Sequence, residues 1–275
     1  VENALIIGCG YVGKAVAQTW RSRLRVTVTT TTRERVPELA PIADRVLLLH
    51  GSDPAAMRSS LPNQAIVLLS VGARRSEGYE VAYLQTAKTL VEALATAPNV
   101  RQVIYTSSYA VYGDQQGDWV TEETPVAPAN RNGEILAATE QLLLSAATST
   151  RQVCVLRLGG IYGPGREIGR IFRSAAGTTR PGDGSDAANW VHLDDIVGAI
   201  NLVQQRSLGG VYNLVGDVPI TVRELLELVC TQNQLPPVTW DASQSSPRPY
   251  NARVSNQKLR SASYQFRHPE VRETR

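Results

Sequence analysis

The sequence predicts an α/β protein, a doubly wound parallel sheet followed by a small C-terminal α/β lobe. Three observations predict it. Short β-branched segments alternate with longer amphipathic ones as far as Leu158. The short segments are apolar almost throughout, as strands buried on both faces are, and do not alternate as one-sided strands do. Glycine and proline then become dense after Arg157, where the alternation stops.

The first strand is predicted at Ala4–Ile7, with a helix at Val12–Arg23 behind it. Strands at Arg25–Thr30, Arg45–Leu49 and Ala65–Ser70 follow. In the stretch Tyr79–Ala97 the residues Val81, Leu84, Ala87, Leu90, Val91 and Leu94 recur at three-and-four spacing, which gathers them on one helical face. Gln102–Thr106 reads as a fifth strand, Gly133–Ala147 as a crossover helix and Gln152–Leu158 as a sixth strand. Strand–helix–strand crossovers of this kind build a parallel sheet. Helices at Leu193–Arg206 and Thr221–Gln234 and a strand at Val211–Leu214 come next, then a Pro- and Ser-rich stretch from Pro236 to Pro249 and a polar tail. The expected boundary separates residues 1–158 from 159–275, with residues about 187–215 returning to the first core.

Composition removes several function classes. With 275 residues, 43% of them hydrophobic, the chain buries a core without metal or disulfide staples. A net charge of +3, scattered along the chain, lacks the basic run that a nucleic acid partner requires. Cys9, Cys154 and Cys230 are odd in number, far apart and set in apolar runs, so neither a disulfide framework nor a zinc site is expected. No apolar run nears the roughly 20 residues of a membrane span. No basic-then-apolar signal opens the chain, and a reducing, cytoplasmic compartment is the expectation.

Gly8-Cys9-Gly10-Tyr11-Val12-Gly13 follows the first strand and opens the first helix. A tight strand-to-helix turn is one reason for such glycines. In this Rossmann-type context the other is a dinucleotide site, where backbone and helix N-terminus approach a pyrophosphate. The acidic residue that binds the adenosine ribose of NAD about 20 positions on is missing. The second strand ends instead in Thr29-Thr30-Thr31-Thr32-Arg33-Glu34-Arg35, hydroxyls followed by guanidinium groups that suit a 2′-phosphate. NADP is therefore favoured over NAD, with Thr30, Arg33 and Arg35 as its contacts. A solvated turn in which Glu34 pairs with an Arg is the alternative. Tyr11, and Ser70, Val71, Gly72 and Ala73 after the fourth strand, are expected cofactor contacts, as are Ser107 and Leu158 at later strand ends.

Tyr105-Thr106-Ser107-Ser108-Tyr109-Ala110-Val111-Tyr112-Gly113 resembles the extended short-chain dehydrogenase/reductases, the NAD-dependent epimerase/dehydratase family. Glu122–Pro128 resembles that family's Glu-x-x-Pro-x-x-Pro loop, Arg157–Arg166 its Arg-Leu-x-x-x-Tyr-Gly-Pro-Gly segment, and Trp190–Asp195 its His-x-x-Asp segment. The likeness runs over roughly residues 1–235. It implies a Ser or Thr at the end of the fifth strand, matched by Ser108, and a Tyr-x-x-x-Lys pair on the next helix. Registered on Glu140-Gln141, that helix carries Asn132 in place of the Tyr and Leu136 in place of the Lys. No other frame restores the pair, since the chain's lysines are Lys14, Lys88 and Lys258 and none lies four residues after a tyrosine. The likeness also implies dimers through the helices at Tyr79–Ala97 and Gly133–Ala147, and a glycine loop that closes near nicotinamide and substrate.

An unperturbed tyrosine needs its phenolate favoured by about 4 kcal/mol to work near neutral pH. Asn132 has no proton to exchange and Leu136 lowers no neighbour's pKa. The candidate site residues are therefore Ser108, as a donor to a substrate oxygen or as a cap; Tyr112 and Tyr109, as substitute acids or as packed phenols; and Asn132, orienting a substrate oxygen or capping its helix. Arg157, Arg166 and Arg170 flank the glycine loop, where Arg166 meets an anionic substrate or solvent. His192 and Asp195 make two ligands without a third, so no metal is expected. Two readings stand: an NAD(P)-dependent oxidoreductase or epimerase acting on a small, sugar-like substrate, and a redox-inactive NADP(H) sensor or scaffold.

Overall fold

The structure, a computed structural model, describes residues 1–73 and 78–272. Its chain divides into two compact units. One comprises Val1–Ser108, Arg131–Arg157 and Val197–Tyr212; the other comprises Tyr109–Asn130, Leu158–Ile196 and Asn213–Arg275.

The first unit holds a seven-stranded sheet. Its strands are β1 (Asn3–Ile7), β2 (Arg25–Thr30), β3 (Arg45–Leu48), β4 (Ile66–Leu69), β5 (Gln102–Ser108), β6 (Gln152–Leu158) and β7 (Gly210–Leu214), in the order β7-β6-β5-β4-β1-β2-β3. The pairs β1–β2, β1–β4, β2–β3 and β4–β5 are parallel. All four residues of β4 and the first six of β5 are buried, which accounts for the continuous apolar runs in the sequence. The longer helices are α1 (Tyr11–Trp20), α2 (Pro54–Ser60), α3 (Thr86–Leu94), α4 (Arg131–Leu144) and α5 (Leu193–Arg206). Helix α2 escaped the periodicity, yet its signal is local: Asp53 accepts from the N–H groups of Ala55 and Ala56, and Pro54 occupies the first turn.

The helix expected across Tyr79–Ala97 is not uniform. Val81–Gln85 winds as a π-turn before α3 begins, and the Thr86 hydroxyl donates to the Val81 carbonyl at 3.1 Å across that wider turn. Such turns insert one residue, and periodicity read at 3.6 residues passes over them. Leu90, Ala93 and Leu94 of α3 and Leu143 of α4 pack with Leu5, Val67, Leu69, Val103 and Tyr105 into one core. At its far edge Arg151 donates to the carbonyls of Leu94, Ala97 and Val100, which closes the exposed ends of neighbouring turns.

The second unit is built from short two-stranded pairs around α6 (Val222–Gln232). Thr221 and Glu224 form a reciprocal capping box at the start of α6, and Leu225 and Val229 pack on Tyr162, Ile168 and Ala188. Among the described residues no helix is long and apolar enough to cross a membrane.

Candidate functional site

In the sheet, β1 lies between β4 and β2, so the strand order reverses at its C-terminal end. Open α/β sheets bind ligands in the crevice at that point. The glycine turn fills it. Gly8 has φ +90°, and a Cβ there would lie 2.5 Å from the Ser70 carbonyl oxygen. A Cβ on Gly13 would collide with the Gly8 carbonyl, whereas among the described residues nothing beyond its own chain neighbours comes within 4 Å of the Gly10 Cβ position. The Gly8 N–H donates to the Thr29 hydroxyl at 3.1 Å and the Cys9 N–H to the Thr29 carbonyl at 3.3 Å, tying the turn to β2. The turn is thus held tightly on one side and left open at the head of α1, which is the shape a pyrophosphate requires.

A cleft of about 710 Å³ opens there. Of the residues expected from the sequence, Gly8, Gly10, Thr30, Arg35, Ser70, Val71 and Gly72 line it, together with Ala73. Tyr11 begins α1 half-exposed, and Val12 and Gly13 are buried behind it. Arg33 is exposed and stands outside the lining. Also in the lining, and not expected from the sequence, are Leu49, His50, Gly51 and Ser52 at and after the end of the third strand, and Val81, Ala82 and Thr86 of the π-turn and α3. A signal for the first group existed, since the third strand ends on the same sheet edge as the first.

Arg35 is anchored at the rim. Its Nη2 donates to the Cys9 carbonyl at 2.9 Å and its Nε to Glu38 at 3.1 Å, while Lys14 reaches the other Glu38 oxygen at 2.5 Å. Lys14 first, and Arg35 beside it, hold the Glu38 carboxyl below its usual range. Burial pushes the Cys9 thiol up to about 11 against the pull of Arg35 and Lys14.

The end of β5 is bound to the same wall. The Thr106 hydroxyl donates to Ser70 Oγ at 3.1 Å. Ser107 is buried, its hydroxyl 2.5 Å from Glu140 Oε1, and Ser108 ends the strand half-buried. Glu140 also receives Nε and Nη2 of Arg157, the closest contact at 2.7 Å, with both side chains under a tenth exposed. Arg157 is therefore a buried partner of α4 and not a surface arginine beside the glycine loop. Asn132, exposed, is the second residue of α4, since the helix begins at Arg131. Leu136 is 3% exposed, one turn before Glu140 on the inward face.

Tyr112 and Tyr109 belong to the second unit. Tyr112 is fully buried, and its hydroxyl donates to Asn213 Oδ1 at 2.8 Å; Asn213 in turn donates its N–H to Glu122 and its Nδ2 to the Ser255 carbonyl. Tyr109 packs edge-on against Tyr250 at 5.3 Å, and burial pushes its phenol up to about 12. Leu158 is buried. His268 joins His192 and Asp194 in a group whose ligand atoms lie within 4.8 Å of one another. The two imidazoles stack at 3.7 Å and 28°, and His192 Nδ1 accepts the Asp194 N–H at 3.1 Å.

The profile of the NAD dependent epimerase/dehydratase family matches residues 4–214. The chain belongs to that family. It is 36% identical to Protein YeeZ of Escherichia coli K12 over 221 residues, 78% of this chain and 77% of the relative. Among solved structures, a functionally unknown conserved protein from Silicibacter pomeroyi superposes with TM-score 0.80 at 26% identity, covering 99% of this chain and 96% of that one. The UDP-glucose 4-epimerase of Thermus thermophilus, in complex with NAD, superposes with TM-score 0.76 at 21% identity, covering 96% and 94%. The chain is thus an extended short-chain dehydrogenase/reductase with that family's parallel sheet and crossover helices.

Proposed function

We propose that this family member binds NADP(H) in preference to NAD(H) in the cleft beside Gly8, and that it acts as an oxidoreductase or epimerase on a small, nucleotide-sugar-like substrate. The observation that carries the reading is the glycine cradle: Gly8 and Gly13 admit no Cβ, while Gly10 opens onto space at the head of α1. The α1 N-terminus receives the pyrophosphate. Thr30 and Arg35 receive the adenosine end, where a guanidinium offers a fork of donors to a 2′-phosphate. The backbone of Ser70–Ala73 forms the opposite wall. When bound, the nicotinamide supplies hydride chemistry. Ser108, at the end of β5, donates to the substrate oxygen. Two copies pair through the helices at Tyr79–Ala97 and Gly133–Ala147.

A second reading, a redox-inactive NADP(H) sensor, is favoured by one observation. Exposed Asn132 and buried Leu136 put no titrating group at the two positions where the family resemblance implies an acid and its lysine. The two readings part in a label-transfer experiment. Protein is incubated with NADPH deuterated at the nicotinamide C4 and a panel of nucleotide-linked hexoses and their keto derivatives. Deuterium in a sugar product supports the enzyme; tight binding with no transfer across the panel supports the sensor.

A further inference from the structure

We propose that a second cavity, built wholly within the second unit, is a binding site for a small aromatic monocarboxylate. It holds about 390 Å³, in the range of small-molecule sites, and none of its described lining residues belongs to the nucleotide cleft. Ala188, Val215 and Val254 line it from buried positions, with Trp190 and Ile220 half-buried. One wall is held by the backbone. The Gly216 N–H donates to the Trp190 carbonyl at 2.7 Å, and the N–H groups of Asp217 and Val218 donate to the Pro269 carbonyl at 2.8 and 3.1 Å. The cavity is thus shaped before any ligand arrives.

The ring of the ligand is indicated by two exposed apolar side chains in the lining. Trp119 is 57% exposed and Val218 49% exposed, an indole and an isopropyl group left in water beside a preformed hollow. That placement forfeits the burial which drives such side chains inward, and apolar groups gathered at a concave surface mark a binding site. Trp119 pairs in parallel register with Arg253, which puts both side chains on one face of that two-stranded pair. Arg253 is also exposed, and among the described residues its guanidinium has neither a hydrogen bond nor an ion pair. An aromatic face beside a free cation suits a flat ring that carries an anion.

The other charges narrow the anion. Asp217 is held by Arg260 at 3.4 Å and by Asn256 at 2.8 Å, and Glu224 is engaged in its capping box with Thr221. Arg253 and Arg260 therefore face the cavity together with two carboxylates, a balance that suits one negative charge and opposes a doubly charged phosphate. Asn256 is 9% exposed and spends both amide hydrogens, one on the Val215 carbonyl at 2.9 Å and one on Asp217. Its Oδ1 is left as an acceptor with no partner among the described residues, open to an N–H group on the ligand.

The test is calorimetric titration of the intact protein with benzoate, 3-phenylpropionate, indole-3-acetate and L-tryptophan, with and without NADPH. Saturable binding of at least one is expected, unaffected by NADPH. Indole-3-acetamide, which lacks the charge, is expected to bind about tenfold more weakly than indole-3-acetate. Arg253→Gln and Trp119→Ala, at exposed positions, are each expected to weaken the bound carboxylate about tenfold with the thermal midpoint unchanged. Val218→Glu, which sets a like charge in the lining, is expected to weaken it similarly. No binding of any of the four up to about 10 mM overturns the proposal. Equal affinity for the acid and its amide does so too, as does binding that survives both Arg253→Gln and Val218→Glu. If Arg253→Gln or Trp119→Ala fails to fold, Val218→Glu alone decides. Displacement by NADPH would put the carboxylate in the nucleotide cleft and overturn the second site. Tighter binding of inorganic phosphate or uridine monophosphate, lost in Arg253→Gln, would overturn the ligand class.

Discussion

Arg35 reaches back 26 positions to donate from Nη2 to the Cys9 carbonyl at 2.9 Å, which fixes a guanidinium between the end of β2 and the glycine turn. Glu38 holds its Nε, and Lys14 holds Glu38, so the charge stands at the cleft rim in a set orientation. A charge-assisted hydrogen bond to a phosphate is worth about 1.5–3 kcal/mol. Arg35→Ala is expected to weaken NADPH by about 10- to 100-fold and NADH by a few-fold at most. Arg33→Ala, at an exposed position outside the cleft, is expected to do far less. Paired fluorescence titrations decide this; equal losses for the two nucleotides would remove Arg35 from cofactor selection.

Gly8→Ala tests the cradle. With φ at +90° and the Ser70 carbonyl 2.5 Å from the new Cβ, either β4 or the turn has to move. Overpacking of this kind costs about 1–3 kcal/mol. The expected result is a lowered thermal midpoint with nucleotide binding lost even where the fold persists. Gly10→Ala, at open space, is expected to retain stability and weaken binding alone.

Glu140→Ala leaves the Arg157 guanidinium buried without its carboxylate, a change that typically costs about 3–5 kcal/mol. Denaturant unfolding measures it. The double replacement Glu140→Met with Arg157→Met is expected to recover most of the loss, because apolar groups of similar volume replace a buried pair at little cost. If the single change proves as mild as the double one, the ion pair is not what joins α4 to β6.

His192 sets a pH dependence. Burial, and then the neighbouring His268, lower its pKa below the usual 6.5. The unfolded chain therefore binds a proton there at a higher pH than the folded one. Stability is expected to fall as pH drops below about 6.5 and to level off once the folded imidazole is also charged. His192→Phe should flatten that part of the curve. Urea unfolding between pH 5 and 7 reads the slope, and an unchanged slope in the variant contradicts the assignment.

The strands and most helices were legible because two-sided burial leaves unbroken apolar runs, as in Ile66–Leu69 and Val103–Tyr105. The glycine turn was legible because Gly8 and Gly13 answer to steric demands that no other residue meets. What lay hidden depends on contacts distant in sequence. Glu140 served only as a register mark, since nothing local says that Ser107 and Arg157 converge on it across 33 and 17 positions. Val81 read as one residue of an amphipathic helical face and not as a cleft residue, because a π-turn shifts the register without altering composition. His50 and Ser52 escaped for a different reason: they line the cleft by position on the sheet edge, with no motif of their own.

Nucleotide binding at the β1 turn is tested most directly by a side-by-side titration of the purified protein with NADPH, NADP+, NADH and NAD+, by fluorescence and thermal shift. Saturable binding of the phosphorylated pair is expected at lower concentration than of the unphosphorylated pair, abolished by Gly8→Ala. No binding of any of the four, with the protein folded, would contradict it.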